Sequence, residues 1–254
     1  MSTPKLAPEG ADVSVSAFPF AGATLIAEDY GTGSHTFLLI HGIGMGRSVF
    51  SDLATHLHHR GRIVAVDLPG YGDAPEPART LTMERTADLV AAFIRSRRLE
   101  NVVVVGHSMG TQVAIEIAAR HPELVARAVL IAPTVNRRER TGTRQFFRLV
   151  QDLAVERPKV VAVGAREYVR AGPHIRNKYR AMLAHRPERV FGHVSAPVLI
   201  LRGEHDYVSP RDWCRFVAES IPRATLAEIA AHGHETMIRD AAPAAQQIIA
   251  FTGV

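Results

Sequence analysis

Short apolar or alternating runs are separated by amphipathic stretches along most of the chain. The runs predict strands at 13–20, 23–29, 36–40, 62–68, 102–105, 127–132, 198–201 and 224–229. Apolar residues at helical spacing predict helices at 48–57, 82–97, from 108 onward, 211–221 and 241–251. This alternation predicts an α/β fold, with a mainly parallel central sheet and helices on both faces.

The alternation stops between residues 134 and 196. This segment consists of helix-like pieces that are broken at Pro158, at Gly172-Pro173 and at Pro187. We therefore predict an α/β core made of residues 1–133 and 197–254, with a helical lid inserted at 134–196. Ligands of open α/β sheets bind beyond the carboxyl ends of the strands, and we expect the lid to cover those ends.

The composition is typical of one large domain with a sizeable core. The 254 residues are 46% hydrophobic and 22% charged. No apolar run reaches membrane-spanning length and the first ten residues lack a secretion signal, so we expect a loose N-terminal arm and no membrane association. The single cysteine, Cys214, excludes an internal disulfide and favours a cytoplasmic protein, and its neighbours Trp213 and Phe216 favour a packed thiol.

Positive charge is concentrated in the predicted lid. Residues 134–196 contain fourteen Lys and Arg against five acids, a net charge of +9, which leaves −4 for the rest of the chain. No nucleic-acid-binding motif accompanies this charge, so no nucleic-acid partner is expected. The charge either solvates an exposed helical segment or attracts an anionic ligand, and Arg137, Arg138 and Arg140 are the first candidates for the second role.

The clearest chemical motif is Gly106-His107-Ser108-Met109-Gly110, which follows the four valines at 102–105 and opens a helix. A G-x-S-x-G motif between a buried strand and a helix is typical of a nucleophile elbow, whose tight turn exposes the serine hydroxyl. Glycine is needed on both sides because a side chain would clash at so sharp a reversal. The helix also directs its free N–H groups toward an anion formed at the serine, so Ser108 is the candidate nucleophile.

A nucleophilic serine needs a base within hydrogen-bond reach and an acid that orients the base. Asp206 lies in the turn after the strand at 198–201 and is preferred to Glu204 for that position. His234 follows the last strand and is preferred to His232 because a glycine precedes it. The chain order Ser108, Asp206, His234 is that of α/β-hydrolases and differs from the order in chymotrypsin and subtilisin.

With these residues the chain resembles the α/β-hydrolase fold family, within its lid-bearing group of serine esterases, lactonases and C–C bond hydrolases. His41-Gly42-Ile43-Gly44 resembles the family's oxyanion loop, and this implies that the backbone N–H groups of Ile43 and Met109 bind the oxyanion. The run Asp67-Leu68-Pro69-Gly70-Tyr71-Gly72-Asp73-Ala74 resembles a second family segment, with Ala74 where serine is usual.

The resemblance implies a serine hydrolase that cleaves a small or medium carboxylic ester or lactone, without a cofactor or a metal. A serine at the elbow excludes the relatives that use aspartate to cleave halides or epoxides. Three alternatives stay open: a C–C hydrolase of a vinylogous diketone, a cofactor-free dioxygenase, and a non-catalytic binding protein. Glu235 stands where C–C hydrolases often have tryptophan, which disfavours the first.

The resemblance also bears on partners and substrate contacts. Some relatives engage an acyl carrier protein, so the anionic ligand of the lid could be a substrate carboxylate, a CoA thioester or such a carrier. Residues beside the candidate nucleophile and at the start of the lid are the expected substrate contacts: His41, Gly42, His107, Arg137, Arg138 and Arg140.

Overall fold

An eight-stranded sheet runs through the part of the chain that the structure describes, a computed structural model of residues 7, 12–138, 140, 174–238 and 240–254. The strands are β1 Val13–Phe20, β2 Ala23–Tyr30, β3 Thr36–Ile40, β4 Arg62–Asp67, β5 Val102–His107, β6 Arg127–Ile131, β7 Val198–Gly203 and β8 Ala224–Ile229. Their order is β1-β2-β4-β3-β5-β6-β7-β8, and β1 and β2 are antiparallel to their neighbours while all other pairs are parallel. The prediction of a mainly parallel α/β sheet is confirmed.

Helices cover both faces of the sheet. Those in the described residues are α1 Ser51–Leu57, α2 Met83–Ser96, α3 Met109–Arg120, α4 Ile175–Ala184, α5 Arg211–Ser220 and α6 Ala242–Thr252. On one face Val90 of α2, Val113 of α3 and Trp213 of α5 join a buried apolar cluster. On the other face, Leu53 of α1 and Ile248 of α6 join a second cluster. In the described part of the chain, no helix combines the length and the apolar character that crossing a membrane requires.

Several predicted elements differ from the structure by one or a few residues at their ends, and for two of them the structure shows a local reason. The helix expected at 48–57 begins with a 3-10 turn, Arg47–Phe50, before α1. The strand expected at 62–68 ends at Asp67, because the backbone N–H of Leu68 donates to the His41 ring at 3.1 Å. This contact turns the chain toward the carboxyl end of β3, beside the candidate site.

The described part of the predicted lid contacts α3. It comprises residues 134–138, 140 and 174–196, which include α4 and the 3-10 turns Pro187–Arg189 and Phe191–His193. The Gln112 side chain of α3 donates to the carbonyls of Thr134 and Met182 at 3.1 and 3.2 Å. The expected N-terminal arm, apart from Ala7, and six of the fourteen basic lid residues lie outside the described residues. The lid boundaries at 134 and 196 stay a prediction.

Cys214 lies in the core, on α5. Its Sγ is 3.2 Å from the Oγ of Ser209, and its side chain is fully buried. Burial raises the pKa of the Cys214 thiol to about 12, which disfavours the reactive thiolate. The prediction of a packed thiol is confirmed.

Candidate active site

Ser108 lies in the sharp turn between β5 and α3. Its backbone φ is 51° and its ψ is −116°, a conformation that residues with a side chain rarely adopt. A Cβ added at Gly106 would lie 2.3 Å from the Gly110 carbonyl oxygen, and one added at Gly110 would lie 2.2 Å from that of Ile40. No side chain fits at such distances, so both glycines are required for α3 to pack this closely on β5 and β3.

Three side chains form one hydrogen-bond chain at the carboxyl ends of β5, β7 and β8. The Ser108 hydroxyl lies 3.0 Å from the Nε2 of His234. The Nδ1 of His234 lies 3.1 and 3.0 Å from the two carboxylate oxygens of Asp206. In this arrangement the serine hydroxyl donates to Nε2, and Nδ1–H donates to the carboxylate. Such a chain can take a proton from serine and stabilise the resulting imidazolium.

The Asp206 carboxylate is held in its charged form. Burial alone would raise its pKa, but the charge and hydrogen bond of His234 and the Ser209 N–H together hold the pKa below its ordinary value. The Ser209 N–H donates to Asp206 Oδ1 at 2.7 Å. The guanidinium of Arg202 donates to the backbone carbonyl of Asp206 at 3.1 Å. The carboxylate is therefore both ionised and fixed in position beneath the imidazole.

The alternative acid and base face other partners. Glu204 accepts a hydrogen bond from the backbone N–H of Ala231 at 2.9 Å, and its side chain is exposed. The Nδ1 of His232 pairs with the carbonyl of Ala230 at 2.7 Å, and its Nε2 lies 3.3 Å from that of Asp240. Both side chains thus stabilise the loop after β8, and neither joins the hydrogen-bond chain from Ser108 through His234 to Asp206.

Gly203, at the end of β7, lets the loop after β8 (residues 230–235, the histidine loop) pack closely against it. A Cβ added there would lie 2.1 Å from the Gly233 carbonyl oxygen and 2.3 Å from that of His232. Gly233 itself has no positive φ. Close approach of two loops therefore requires glycine at position 203, a requirement that the sequence motif does not indicate. A role for Gly233 in positioning His234 stays a prediction.

The loop after β3 lies against the candidate nucleophile. A Cβ added at Gly42 would lie 3.2 Å from the Cβ of Ser108, so Ile43 directly follows the point of contact. Both ring nitrogens of His41 have partners in the protein: Nδ1 pairs with the Gly42 carbonyl at 2.7 Å, and Nε2 accepts from the Leu68 N–H. Burial lowers the pKa of His41 and keeps the ring neutral. His41 therefore holds this loop in place through its hydrogen bonds, and Gly42 is the loop residue that contacts the serine side chain.

A buried ionic network joins the same loop to the loop after β4. Arg47 is 5% exposed, and its Nε donates to Glu28 at 2.9 Å. Its Nη1 pairs with Asp67 and lies 3.0 Å from an oxygen of Asp73. Asp67 in turn accepts from the Arg47 backbone N–H at 2.6 Å. The sequence analysis missed Arg47, for which the charged Glu28 inside a mostly buried strand is the available sign.

His107 is buried behind the site. Its Nε2 lies 3.2 Å from the backbone carbonyl of His234, which couples the elbow to the histidine loop. Burial, with repulsion from the neighbouring His234 ring, lowers the pKa of His107 to about 3. A neutral ring whose Nε2–H donates to that carbonyl positions His234. A role for His107 in substrate contact stays a prediction.

The three arginines at the start of the lid have partners within the chain. The Arg137 guanidinium lies 3.8 Å from the centroid of a phenylalanine ring of α5. Arg138 pairs with Asp212 at 3.4 Å at an exposed position. Arg140 pairs with Glu188 at 2.5 Å. Their role toward an anionic ligand stays a prediction.

One group of side chains in the described residues has the chemistry and spacing of metal ligands. Glu84, Glu116 and His185 offer ligand atoms within 4.8 Å of one another, on α2, on α3 and after α4. The Nε2 of His185 lies 2.8 Å from Glu116, and both side chains are buried. The expectation that the protein needs no metal or cofactor stays a prediction.

Comparison with known proteins identifies the family. The family model described as "Alpha/beta hydrolase family" matches residues 37–246. AB hydrolase superfamily protein YisY of Bacillus subtilis is 28% identical over 238 residues, covering 83% of this chain and 88% of YisY. A pimeloyl-[acyl-carrier protein] methyl ester esterase of Neisseria meningitidis is 45% identical over 94 residues, covering 37% of this chain and 28% of that protein.

The fold comparison agrees. The solved structure of Est816, titled an N-acyl homoserine lactone degrading enzyme, has a TM-score of 0.82 at 19% identity, covering 93% of this chain and 100% of that one. At this identity the likeness concerns the fold. The family model covers the chain from β3 into α6. Together with the likeness in fold, this match shows that this chain belongs to the alpha/beta hydrolase family.

Proposed function

We propose that this protein is a serine hydrolase that cleaves a small or medium carboxylic ester or lactone through an acyl-enzyme. The observation that carries the proposal is the hydrogen-bond chain from the Ser108 hydroxyl through His234 to Asp206. The methyl ester esterase and the lactone-degrading enzyme among the similar proteins support this substrate class.

Acylation follows from the geometry of the three side chains. His234 Nε2 takes the hydroxyl proton as the Ser108 oxygen attacks the substrate carbonyl. The charged Asp206 stabilises the imidazolium and keeps Nε2 directed at the serine. His234 then returns the proton to the leaving alcohol, and the acyl group stays on Ser108.

The oxyanion of the tetrahedral intermediate is stabilised by backbone donors. The N–H of Met109 belongs to the first turn of α3, where backbone N–H groups have no partner within the helix. Ile43 follows Gly42, which contacts the serine side chain. Preorganised donors of this kind contribute about 3–4 kcal/mol each to catalysis in a well-studied protease. Water activated by His234 then releases the acid.

The first prediction concerns the nucleophile. Ser108→Ala should lower the turnover of an activated ester by ~10⁴–10⁶-fold while the fold is retained, because the acyl-enzyme cannot form. The assay uses p-nitrophenyl esters of increasing acyl length beside a set of lactones, and circular dichroism checks the fold. Ser34→Ala, at an exposed serine, is the matched control and should keep wild-type turnover.

Labelling gives an independent test. A fluorophosphonate should form one adduct, mapped by peptide mass spectrometry to Ser108, and an adduct on another residue would falsify the assignment. Rapid cleavage of a vinylogous diketone together with poor ester turnover would instead assign C–C hydrolysis to the same site. Oxygen consumption with an aromatic substrate would assign dioxygenation.

A further inference from the structure

A cleft opens beside the candidate nucleophile, on the side of β4. The cleft is narrow and partly open to solvent. Met109, the residue after Ser108, lines the cleft, and the Tyr71 hydroxyl lies 3.5 Å from the Met109 sulfur. Its apolar wall is formed by Leu68, Pro77, Leu81, Met83, Met109 and Val113. Such a wall suits a hydrocarbon chain.

The cleft is also lined by an ion pair, Lys178 and Glu76. The side chain of Lys178, on α4 of the predicted lid, lines the cleft and is only 3% exposed. Its ammonium nitrogen lies 2.7 Å from Glu76 Oε2, donates to the Gly70 carbonyl and lies 4.5 Å from the centroid of the Tyr71 ring. A cation at this depth is stable only with an anionic partner nearby.

The two members of this ion pair differ in their access to water. The Glu76 side chain is 31% exposed and lies on the loop after β4, whereas Lys178 is enclosed. Glu76 can therefore rotate into solvent and be hydrated there, while the Lys178 ammonium group stays inside the cleft. A second carboxylate entering the cleft can take the place of Glu76 at little cost.

We propose that Lys178 binds a carboxylate at the far end of the substrate's acyl chain, in exchange for Glu76. The preferred substrate is then an ester whose acyl chain is apolar near the carbonyl and anionic at its other end. The inference rests on the proposed serine hydrolase function and names the substrate class of that site. It assigns anion recognition to Lys178, which lines the cleft, in place of Arg137, Arg138 and Arg140, which are not among the residues that line it.

The sheet order indicates that the cleft receives the acyl side of the ester. His234, which protonates the leaving alcohol, follows β8 on one side of β5. Leu68 and Tyr71 of the cleft follow β4 on the other side of β5. The alcohol leaves toward His234, so the acyl chain extends in the opposite direction, along the cleft toward Lys178.

The test compares two esters of equal acyl length. Mono-p-nitrophenyl adipate has a terminal carboxylate and p-nitrophenyl hexanoate has a terminal methyl group, and the readout is the ratio of their kcat/KM values. Lys178→Met should lower the ratio about tenfold or more, because one charge-assisted hydrogen bond to the substrate is lost. Glu76→Gln should raise the ratio, because it removes the competing carboxylate. The kcat/KM value for p-nitrophenyl hexanoate reports any general damage to the site.

Arg176→Met is the matched control, since it removes a positive charge from an exposed position of the same helix and should leave the ratio unchanged. If Lys178→Met lowers kcat/KM equally for both esters, Lys178 only stabilises the packing of α4 against the core, and the inference is overturned. If Lys178→Met does not fold, an unchanged ratio in Glu76→Gln overturns it. Absence of all ester turnover in the wild type contradicts the proposed function instead, so the two failures are distinguishable.

Discussion

His234 and His232 stand two positions apart in one loop, yet their rings have different partners. His234 contacts Ser108 and Asp206 through its two nitrogens, whereas the ring of His232 pairs with backbone carbonyls of its own loop. The same contrast separates Asp206, which is buried, from Glu204, which is exposed. At the scale of residues, membership of the hydrogen-bond chain from Ser108 therefore depends on which side of a short loop a side chain occupies.

The resulting prediction compares matched pairs of neighbours. His234→Ala should lower kcat/KM for an activated ester nearly as much as Ser108→Ala, because no base then remains for the serine proton. Asp206→Asn should be somewhat milder, since the imidazole stays but loses its orienting charge.

His232→Ala and Glu204→Gln are the controls and should stay near wild-type rates. Loss of activity in His232→Ala but not in His234→Ala would show that the wrong ring has been assigned. Loss in Glu204→Gln together with full activity in Asp206→Asn would transfer the orienting role to Glu204.

At the scale of elements, the site depends on how closely α3 approaches the strands beneath it. The Gly110 backbone meets the Ile40 carbonyl of β3, and the Gly106 backbone meets the first turn of α3. This approach positions the strained Ser108 at the end of β5, directly before the first turn of α3. The buried pair of Glu116 and His185 then joins α3 to the described part of the lid.

Gly110→Ala tests this packing. The added Cβ would meet backbone only 2.2 Å away, so α3 must shift, and we expect a stability loss of about 1–3 kcal/mol or more together with reduced turnover. Gly192→Ala is the control: a Cβ there has nothing within 4 Å, and the expected effect is neutral or slightly stabilising. Urea denaturation measures both. Equal stabilities of the two variants would contradict the close approach.

At the scale of the whole molecule, folding keeps ionisable rings neutral inside the protein. His107 and His41 are both fully buried, and burial lowers the pKa of each. Unfolding exposes the rings and restores their ordinary pKa of 6.5. Between the folded and unfolded pKa values the unfolded chain therefore binds protons that the folded chain does not.

We therefore expect the free energy of unfolding to decrease as the pH falls below about 6.5, with the His107 contribution continuing toward its folded pKa of about 3. For His107 the slope should reach about 1.4 kcal/mol per pH unit. Urea unfolding at pH values from 7.5 to about 4.5, followed through the buried Trp213, measures it. His107→Gln should lower this slope by the contribution of one bound proton. His193→Gln, at an exposed position, should leave the slope unchanged. Equal slopes in all three proteins would contradict a neutral buried His107.

Much of the fold could be predicted because its elements are encoded locally. The valines at 102–105 predict a strand buried on both faces, and β5 is such a strand. The glycines around Ser108 predict a turn that admits no side chain, and the contacts of Gly106 and Gly110 agree. Within the described residues, the predicted elements differ from the observed ones at their ends, as in β4, where the His41 ring accepts the N–H that would continue the strand.

Sequence order alone indicated Ser108, Asp206 and His234 as partners, because strands of a parallel sheet bring their carboxyl ends to one edge. Tertiary structure decided the contacts that join segments without a shared motif: Lys178 with Glu76, Arg47 with Glu28, and Gly203 against the histidine loop. The Lys178 and Glu76 side chains meet across 102 positions of the chain. Local pattern reports whether a residue suits a strand, a helix or a turn. Which buried charge faces which depends on how those elements pack, and packing becomes defined only in the folded molecule.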